Sequence, residues 1–192
     1  MLRVLSIMGS PRKGGNTSTV LREFEKLIEG KVILEHINVV DMVLNGCIGC
    51  DYCQKYYELP NCRQKDDMPI IIEKIIKSDI IIYAAPVYVW DFPAQMKEVM
   101  DRHYCLVKLK AEEDISLIQG KKVILLTTCG GYAENNADLL IKIFEREMNY
   151  LQCEVLGKFV VPNCTLPGNL GKEKEEVAFK MLSSINELII SN

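Results

Sequence analysis

The stretch "MGSPRKGGNTSTVL", residues 8–21, follows the apolar run Leu2–Ile7 and opens a helical pattern. Glycines, small hydroxyls and basic side chains crowd into it. At a strand-to-helix bend such a turn aims the first amides of the helix, with the positive end of its dipole, at an anion. The plain alternative is a polar turn whose helix is capped by Asn16 or Thr17. Spacing excludes two phosphate loops. A triphosphate loop needs Gly, four residues, then Gly-Lys-Ser/Thr; Gly9 and Gly14 have the interval, but Gly15 stands where the lysine is required. A dinucleotide loop needs Gly-x-Gly-x-x-Gly, and Ser10 and Pro11 follow Gly9 instead. What remains fits a terminal phosphomonoester. Ser10, Thr17 and Ser18 offer hydroxyls, Arg12 a charge-assisted contact, and Asn16 a brace or a cap.

Outward from this bend, strand and helix signals alternate. Val4–Met8 reads as a strand. Thr17 to about Glu29 reads as a helix, with Val20, Leu21, Phe24, Leu27 and Ile28 on one face and Gly30 as its stop. Lys31–Val40 is the next strand, and Asp41–Lys65 an irregular segment. Asp66 and Asp67 cap a helix over Met68–Ser78, with Pro69 in its first turn. Asp79–Ala84 is a β-branched buried strand. A helix runs from Ala94 to about Val107, and a strand over Lys121–Thr128. A helix from about Ala137 to Tyr150, a strand over Cys153–Val161 and a helix over Glu173–Ile190 complete the pattern. This predicts a parallel sheet covered on both faces, with the flavodoxin-like order 2-1-3-4-5. Ligands bind such sheets at the carboxyl ends of the strands, where the order reverses. The loops meeting there are "GSPRKGGNTS", "APVYVWDF" and "TTCGGYAE".

The 192 residues suffice for one full core and read as a single domain, 1–192, with a cysteine-bearing insertion at about 41–65. A net charge of −3 argues against a general nucleic-acid binder. No apolar run reaches membrane-spanning length, and Met1–Met8 is too short for a signal h-region. The expectation is a cytoplasmic protein with no membrane and no nucleic-acid partner. Of eight cysteines, Cys47, Cys50, Cys53 and Cys62 are clustered. Without a secretory signal such a cluster reads as metal-binding or redox-active. His103 lies on an apolar helix face and reads as a satisfied core residue, and neither it nor His36 is assigned a catalytic role.

"GSPRKGGNTSTVL" (9–21), "APVYVWDFPAQMKEVMDR" (85–102) and "TTCGGYAE" (127–134) together resemble the NADPH-dependent FMN reductases of the flavodoxin-like superfamily. "CIGCDYCQKYYELPNCRQKDDM" (47–68) narrows the resemblance toward the iron–sulfur flavoproteins. It implies that Ser10, Arg12, Lys13, Asn16, Thr17 and Ser18 hold an FMN phosphate. It implies further that Pro86, Val87, Tyr88, Val89 and Trp90 frame the ribityl chain and ring, and that Cys129, Gly130 and Gly131 approach the ring edge. Packing or subunit contact is the other role open to Trp90. By the same resemblance, Cys47, Cys50, Cys53 and Cys62 would hold a 4Fe–4S cluster, although the eight-residue gap before Cys62 departs from that compact motif. Free thiols and a zinc site are the competing readings.

The function implied is an FMN oxidoreductase, passing electrons from NAD(P)H or a reduced protein donor to a quinone, flavin or other small acceptor. The cofactor carries the chemistry, so no catalytic acid or base is required. A non-enzymatic carrier exchanging electrons with ferredoxin-like proteins is the alternative. A thiol-based redox sensor is the third. Relatives imply a homodimer or homotetramer.

Overall fold

A computed structural model describes residues 1–110, 113–168 and 170–191. In chain order the elements are β1 (Arg3–Met8), α1 (Asn16–Ile28), β2 (Ile33–Asn38), α2 (Met68–Lys77), β3 (Ile80–Pro86), α3 (Ala94–Asp101), β4 (Val107–Lys108), β5 (Ile115–Ser116), β6 (Lys122–Thr128), α4 (Asp138–Tyr150), β7 (Glu154–Val161) and α5 (Glu173–Ile190). Five strands form one parallel sheet in the order β2-β1-β3-β6-β7. Counted along the chain, those strands have the order 2-1-3-4-5, the flavodoxin-like arrangement expected.

Strand periodicity divides the core. Leu5 and Ile7 of β1, Ile81 and Tyr83 of β3, and Val123 and Leu125 of β6 face α2, α3 and α4. Their neighbours Val4, Met8, Ile80, Ile82, Ile124 and Leu126 face α1 and α5. Both faces are buried, so the three central strands read as largely apolar runs rather than alternating ones, with buried Ser6 interrupting β1. On α1 the buried stripe is Val20, Leu21, Phe24 and Ile28, one face of a 3.6-residue period. Gly30 ends that helix region at φ +73°, a value that glycine adopts freely.

Four points differ from the sequence reading. The helix from Ala94 stops at Asp101 rather than near Val107; Arg102–Leu106 tighten into a 3-10 turn and Val107–Lys108 become a strand. Tertiary partners override helix propensity there. Arg102 is drawn to Asp66, His103 Nδ1 lies 2.8 Å from Glu147, and Lys108 Nζ reaches the Cys53 carbonyl at 2.8 Å. The β4–β5 hairpin was not foreseen, since two-residue strands leave no readable periodicity. Asp67 occupies the cap position of α2 but spends its carboxylate on the Val43 amide, 2.8 Å away, while Asp66 accepts from Met68 N at 3.2 Å. The strand expected over Lys31–Val40 is also shorter, ending at Asn38 before a 3-10 turn over Val39–Asp41.

The bend that opens the chain is set by contact. Gly9 N donates to Ala84 O at 2.8 Å, and a Cβ built on Gly9 would sit 2.5 Å from Met96 Cβ on α3. Gly9→Ala is therefore expected to lower unfolding stability by roughly 1–3 kcal/mol, the usual cost of overpacking. The readout is a lower urea midpoint at unchanged slope. An unchanged midpoint would mean that α3 is not seated on β1 at this point.

Candidate functional site

A crevice of about 220 Å³ lies at the carboxyl ends of β1, β3 and β6, where the strand order reverses. Its lining includes Ser10, Arg12, Gly15, Asn16 and Thr17 from the first bend, Pro86–Tyr88 from the second, and Thr128–Gly130 from the third. The three loops that topology brings together thus meet in one place.

Within the first bend the hydroxyls mostly shape the loop. Ser18 Oγ donates to Lys13 O at 2.6 Å, Ser10 Oγ accepts from Arg12 N at 3.1 Å, and Gly15 N donates to Arg12 O at 3.0 Å. Thr17 Oγ1 lies 2.6 Å from Thr128 Oγ1 in a buried contact that ties α1 to the end of β6. Gly15, not Asn16 or Thr17, takes the cap position of α1, and no side chain caps that helix. Its first amides, with no intrahelical acceptor, therefore open onto the crevice beside exposed Arg12. Lys13 turns away to an ion pair with Asp41. Lys13 and Ser18 do not line the crevice.

Asn16 braces rather than caps. Its Nδ2 donates to Leu166 O at 3.1 Å, and its Oδ1 accepts from Gly168 N at 3.3 Å. This closes the crevice with Cys164, Thr165 and Pro167, a wall absent from the sequence reading. The signal was available: this loop leaves the carboxyl end of β7, and its run "PNCTLPG" is rich in turn formers.

The second bend carries strain. Tyr88 and Asp91 exchange backbone hydrogen bonds of 2.9 and 3.1 Å, with Val89 at φ 51° and Trp90 at φ 63° between them. Positive φ at both central residues makes a type I′ turn, built most easily from Asn-Gly. A β-branched valine there is a genuine outlier. Trp90 Nε1 holds the turn by donating to Asn135 O at 3.0 Å. Val87 N is taken by Thr128 O at 2.8 Å and Phe92 N by Asp91 Oδ1 at 2.7 Å. Within this bend, Val89 and Trp90 keep amides for which no protein acceptor is found among the described residues. Val89 is 85% exposed and Trp90 53%. Neither side chain lines the crevice itself, and Tyr88 does.

At the third bend, Gly130 lines the crevice while Gly131 does not; a Cβ on Gly131 would lie 2.8 Å from Asn136 Nδ2. Burial raises the Cys129 thiol and pushes Cys164 up to about 11. Cys129 Sγ donates to Gly131 O at 3.4 Å and Cys164 Sγ to Val161 O at 3.4 Å. Both are neutral walls rather than nucleophiles at neutral pH.

The cysteine segment lies apart. Cys47 and Cys50 are exposed, Cys53 and Cys62 half-buried. Among the described residues no three cysteine, histidine or acidic side chains converge as a ligand set. The donor chemistry nevertheless suits a thiophilic centre. Buried Arg102 Nε and Nη2 also lack an oxygen acceptor, in a guanidinium beside the Cys62 sulfur. Burial raises Cys53 against the opposing charge of Lys108. Asp66 and Asp67 pin the segment's start through the amides of Asn45, at 3.1 Å, and Val43. Burial of Asp66 works against its ionisation, but the Arg102 hydrogen bond and the Met68 and Asn45 amides outweigh it, so it titrates below the ordinary carboxylate range. Both histidines have side-chain partners. His36 lies between Glu25 and Asn38, and buried His103 between Glu147 and Tyr83.

The sequence pattern of the NADPH-dependent FMN reductases matches residues 2–161. An iron–sulfur flavoprotein of Methanocaldococcus jannaschii is 39% identical over 102 residues, 53% of this chain and 51% of that protein. One from Archaeoglobus fulgidus is 34% identical over 140 residues, 72% of this chain and 67% of its own length. The chain spans about half the length of the first curated relatives it matches. Among solved structures, the NAD(P)H:quinone oxidoreductase of Methanothermobacter marburgensis aligns with a TM-score of 0.69 at 18% identity, covering 97% of this chain and 98% of that one. The FMN-dependent NADH-azoreductase of Bacillus anthracis, solved with FMN, aligns with a TM-score of 0.69 at 16% identity over 98% of this chain and 100% of that one. At these identities the likeness establishes the fold.

Asp66→Asn would leave Arg102 buried without its counter-charge, at a cost of about 3 kcal/mol near neutral pH. In the native protein the lowered carboxyl contributes stability that is fully present above the usual value near 4 and lost as pH falls through its own lower value. The gap between native and variant in chemical denaturation is therefore widest at neutral pH and closes in acid. A pH-independent gap would remove the ion pair as its cause.

Proposed function

We propose that this chain, which belongs to the NADPH-dependent FMN reductase family, is an oxidoreductase that binds FMN in the crevice at the carboxyl ends of β1, β3 and β6. The observation that carries this reading is the uncapped start of α1, opening with Arg12 on a crevice walled by loops that expose backbone rather than charged side chains. Bound FMN supplies electron acceptance from NAD(P)H and donation to a quinone, flavin or other acceptor. The protein's part is placement. First-turn amides of α1 and the Arg12 guanidinium hold the phosphate, with Ser10, Thr17 and Ser18 fixing the loop that presents them. Lys13, paired with Asp41, acts on the loop rather than on the ligand. Pro86, Val87 and Tyr88 line the middle of the crevice, and the free amides of Val89 and Trp90 offer donors to a polar ring edge. Cys129 and Gly130 form the far wall; Gly131 keeps the chain tight behind it. The thiols of Cys129 and Cys164 stay protonated and take no proton from a substrate.

Tyr88, Val89, Trp90 and Tyr132 leave an exposed apolar rim around the opening, which favours a homodimer or homotetramer in which a neighbour covers the cofactor. No helix among the described residues is long and apolar enough to cross a membrane. We read the chain as cytoplasmic and as a single domain with the insertion at 41–65.

A second reading has its own support. Four thiols on one segment, orphaned Arg102 N–H groups beside Cys62, and relatives named iron–sulfur flavoproteins favour a 4Fe–4S cluster at Cys47, Cys50, Cys53 and Cys62. Such a centre would store single electrons for exchange with a ferredoxin-like partner.

Stripped protein is expected to take up one FMN per chain at micromolar levels or tighter, and riboflavin, which lacks the phosphate, far more weakly. Arg12→Ala should weaken FMN about tenfold, the low end for a hydrogen bond to a charged group, and leave riboflavin unchanged. Equal losses for both ligands would take Arg12 off the phosphate, and refusal of FMN would end the reading. Bleaching of the bound flavin by NADPH in stopped flow marks a reductase; bleaching only by a reduced ferredoxin marks a carrier.

A further inference from the structure

Below the cysteine segment lies a floor of two buried cations that the crevice does not use. Arg102 is 2% exposed and Lys108 fully buried. Both come from the 3-10 turn and β4 that replace the end of the expected helix. Arg102 Nη1 serves Asp66 and the Asn45 carbonyl, 3.3 Å away, leaving Nε and Nη2 without an oxygen acceptor and with the Cys62 sulfur beside the guanidinium. Lys108 Nζ makes one hydrogen bond, to Cys53 O at 2.8 Å, and forms no ion pair with a carboxylate among the described residues. The ionisable groups in its electrostatic reach are the thiols of Cys53 and Cys105. Gln54 seats the segment on this floor: its Nε2 donates to Tyr104 O at 3.2 Å and Val107 O at 2.9 Å, and its Oε1 accepts from Leu109 N at 3.1 Å. Cys53 is thus clamped above Lys108 while Cys62 lies beside Arg102.

Buried N–H groups without an acceptor and a buried ammonium without a counter-ion are costly, and a bound anion relieves both costs. We infer that Lys108 is the built-in counter-charge, and Arg102 a sulfur-facing donor, of an anionic metal–thiolate centre held through Cys53 and Cys62. This rests on the iron–sulfur reading above. Asp66 neutralises Arg102, so Lys108 supplies the unbalanced positive charge. The orphaned Arg102 N–H groups supply donors to sulfur. Net charge and hydrogen bonds to sulfur are the levers that set the potential of such a centre, so both residues are positioning residues that make it easier to reduce.

The test is anaerobic reconstitution with ferrous iron and sulfide, followed by iron and sulfide assay and a redox titration read by electron paramagnetic resonance. The proteins are the native chain, Lys108→Met, Lys108→Gln and Lys108→Arg. The Gln variant keeps a donor for Cys53 O and serves if the Met variant fails to fold. The native chain is expected to take up iron and sulfide. Loss of the charge in the Met or Gln variant should move the midpoint about 59 mV more negative, a tenfold change for a one-electron couple, and Lys108→Arg should restore most of it. Metal-free Lys108→Met should melt no lower than the native protein, because it removes a charge that lacks a counter-ion. Equal midpoints in all four proteins would overturn the inference alone. So would a metal-free variant that melts lower with its midpoint unmoved, the mark of a purely structural lysine. Failure of the native chain to take up iron and sulfide would overturn the iron–sulfur reading and this inference with it.

Discussion

A helix start without a cap is the constraint around which the rest is arranged. The first amides of α1 have no acceptor in their own helix and no side chain to receive them. In a buried setting that would be costly; at the edge of a crevice it becomes a fixed patch of positive potential. Holding it there takes several independent contacts. Gly9 lets the chain pass Met96, Thr17 is tied to Thr128, Ser18 and Arg22 both hold the Lys13 carbonyl, and Asn16 reaches across to residues 166 and 168. Each contact removes a way for the bend to relax and satisfy its own amides. Preorganised donors of this kind bind an anion without a reorganisation cost.

The same principle explains the strained turn at Val89–Trp90. Two non-glycine residues at positive φ cost on the order of 1–3 kcal/mol each. Asn-Gly would make the turn without that cost, but glycine would also free the loop to move. With valine and tryptophan the turn is stiff, and the Trp90 indole is anchored to Asn135 O on the third bend. The second and third walls of the crevice are therefore coupled through a side chain that does not itself line it.

Much of this was readable from residues. Apolar runs such as "IIIYAA" name their strands because both faces of a central parallel strand are buried. Gly30 and Pro93 mark real boundaries. The three loops at the topological reversal were legible because topology alone decides where they end. Individual roles inside a loop were less so. Lys13 and Ser18 look like phosphate ligands by type, yet one turns to Asp41 and the other to a carbonyl five residues back. Sequence gives a hydroxyl's chemistry and not its direction. The fourth wall was missed because Asn16 carries two readings, cap and brace, and a contact 150 residues away chooses between them. The end of α3 failed for a related reason: the partners of Arg102, His103 and Lys108 lie 36 to 55 residues away along the chain, beyond the reach of periodicity.

That misread helix end joins the two halves of the molecule. The second bend of the crevice runs through Pro93 into α3, whose eight residues at 1.5 Å per residue span about 12 Å. At its far end the chain tightens into the turn that carries Arg102 and then Lys108, the floor beneath the cysteine segment. A second link runs along the other side, where Lys13 of the first bend pairs with Asp41 at the start of that segment. The crevice and the cysteines are thus neighbours joined by one short helix and one ion pair. α3 buries Met96, Val99 and Met100 against the sheet, which makes it a rigid spacer rather than a hinge. Any centre built on Cys53 and Cys62 would therefore stand at a fixed separation from a ligand in the crevice.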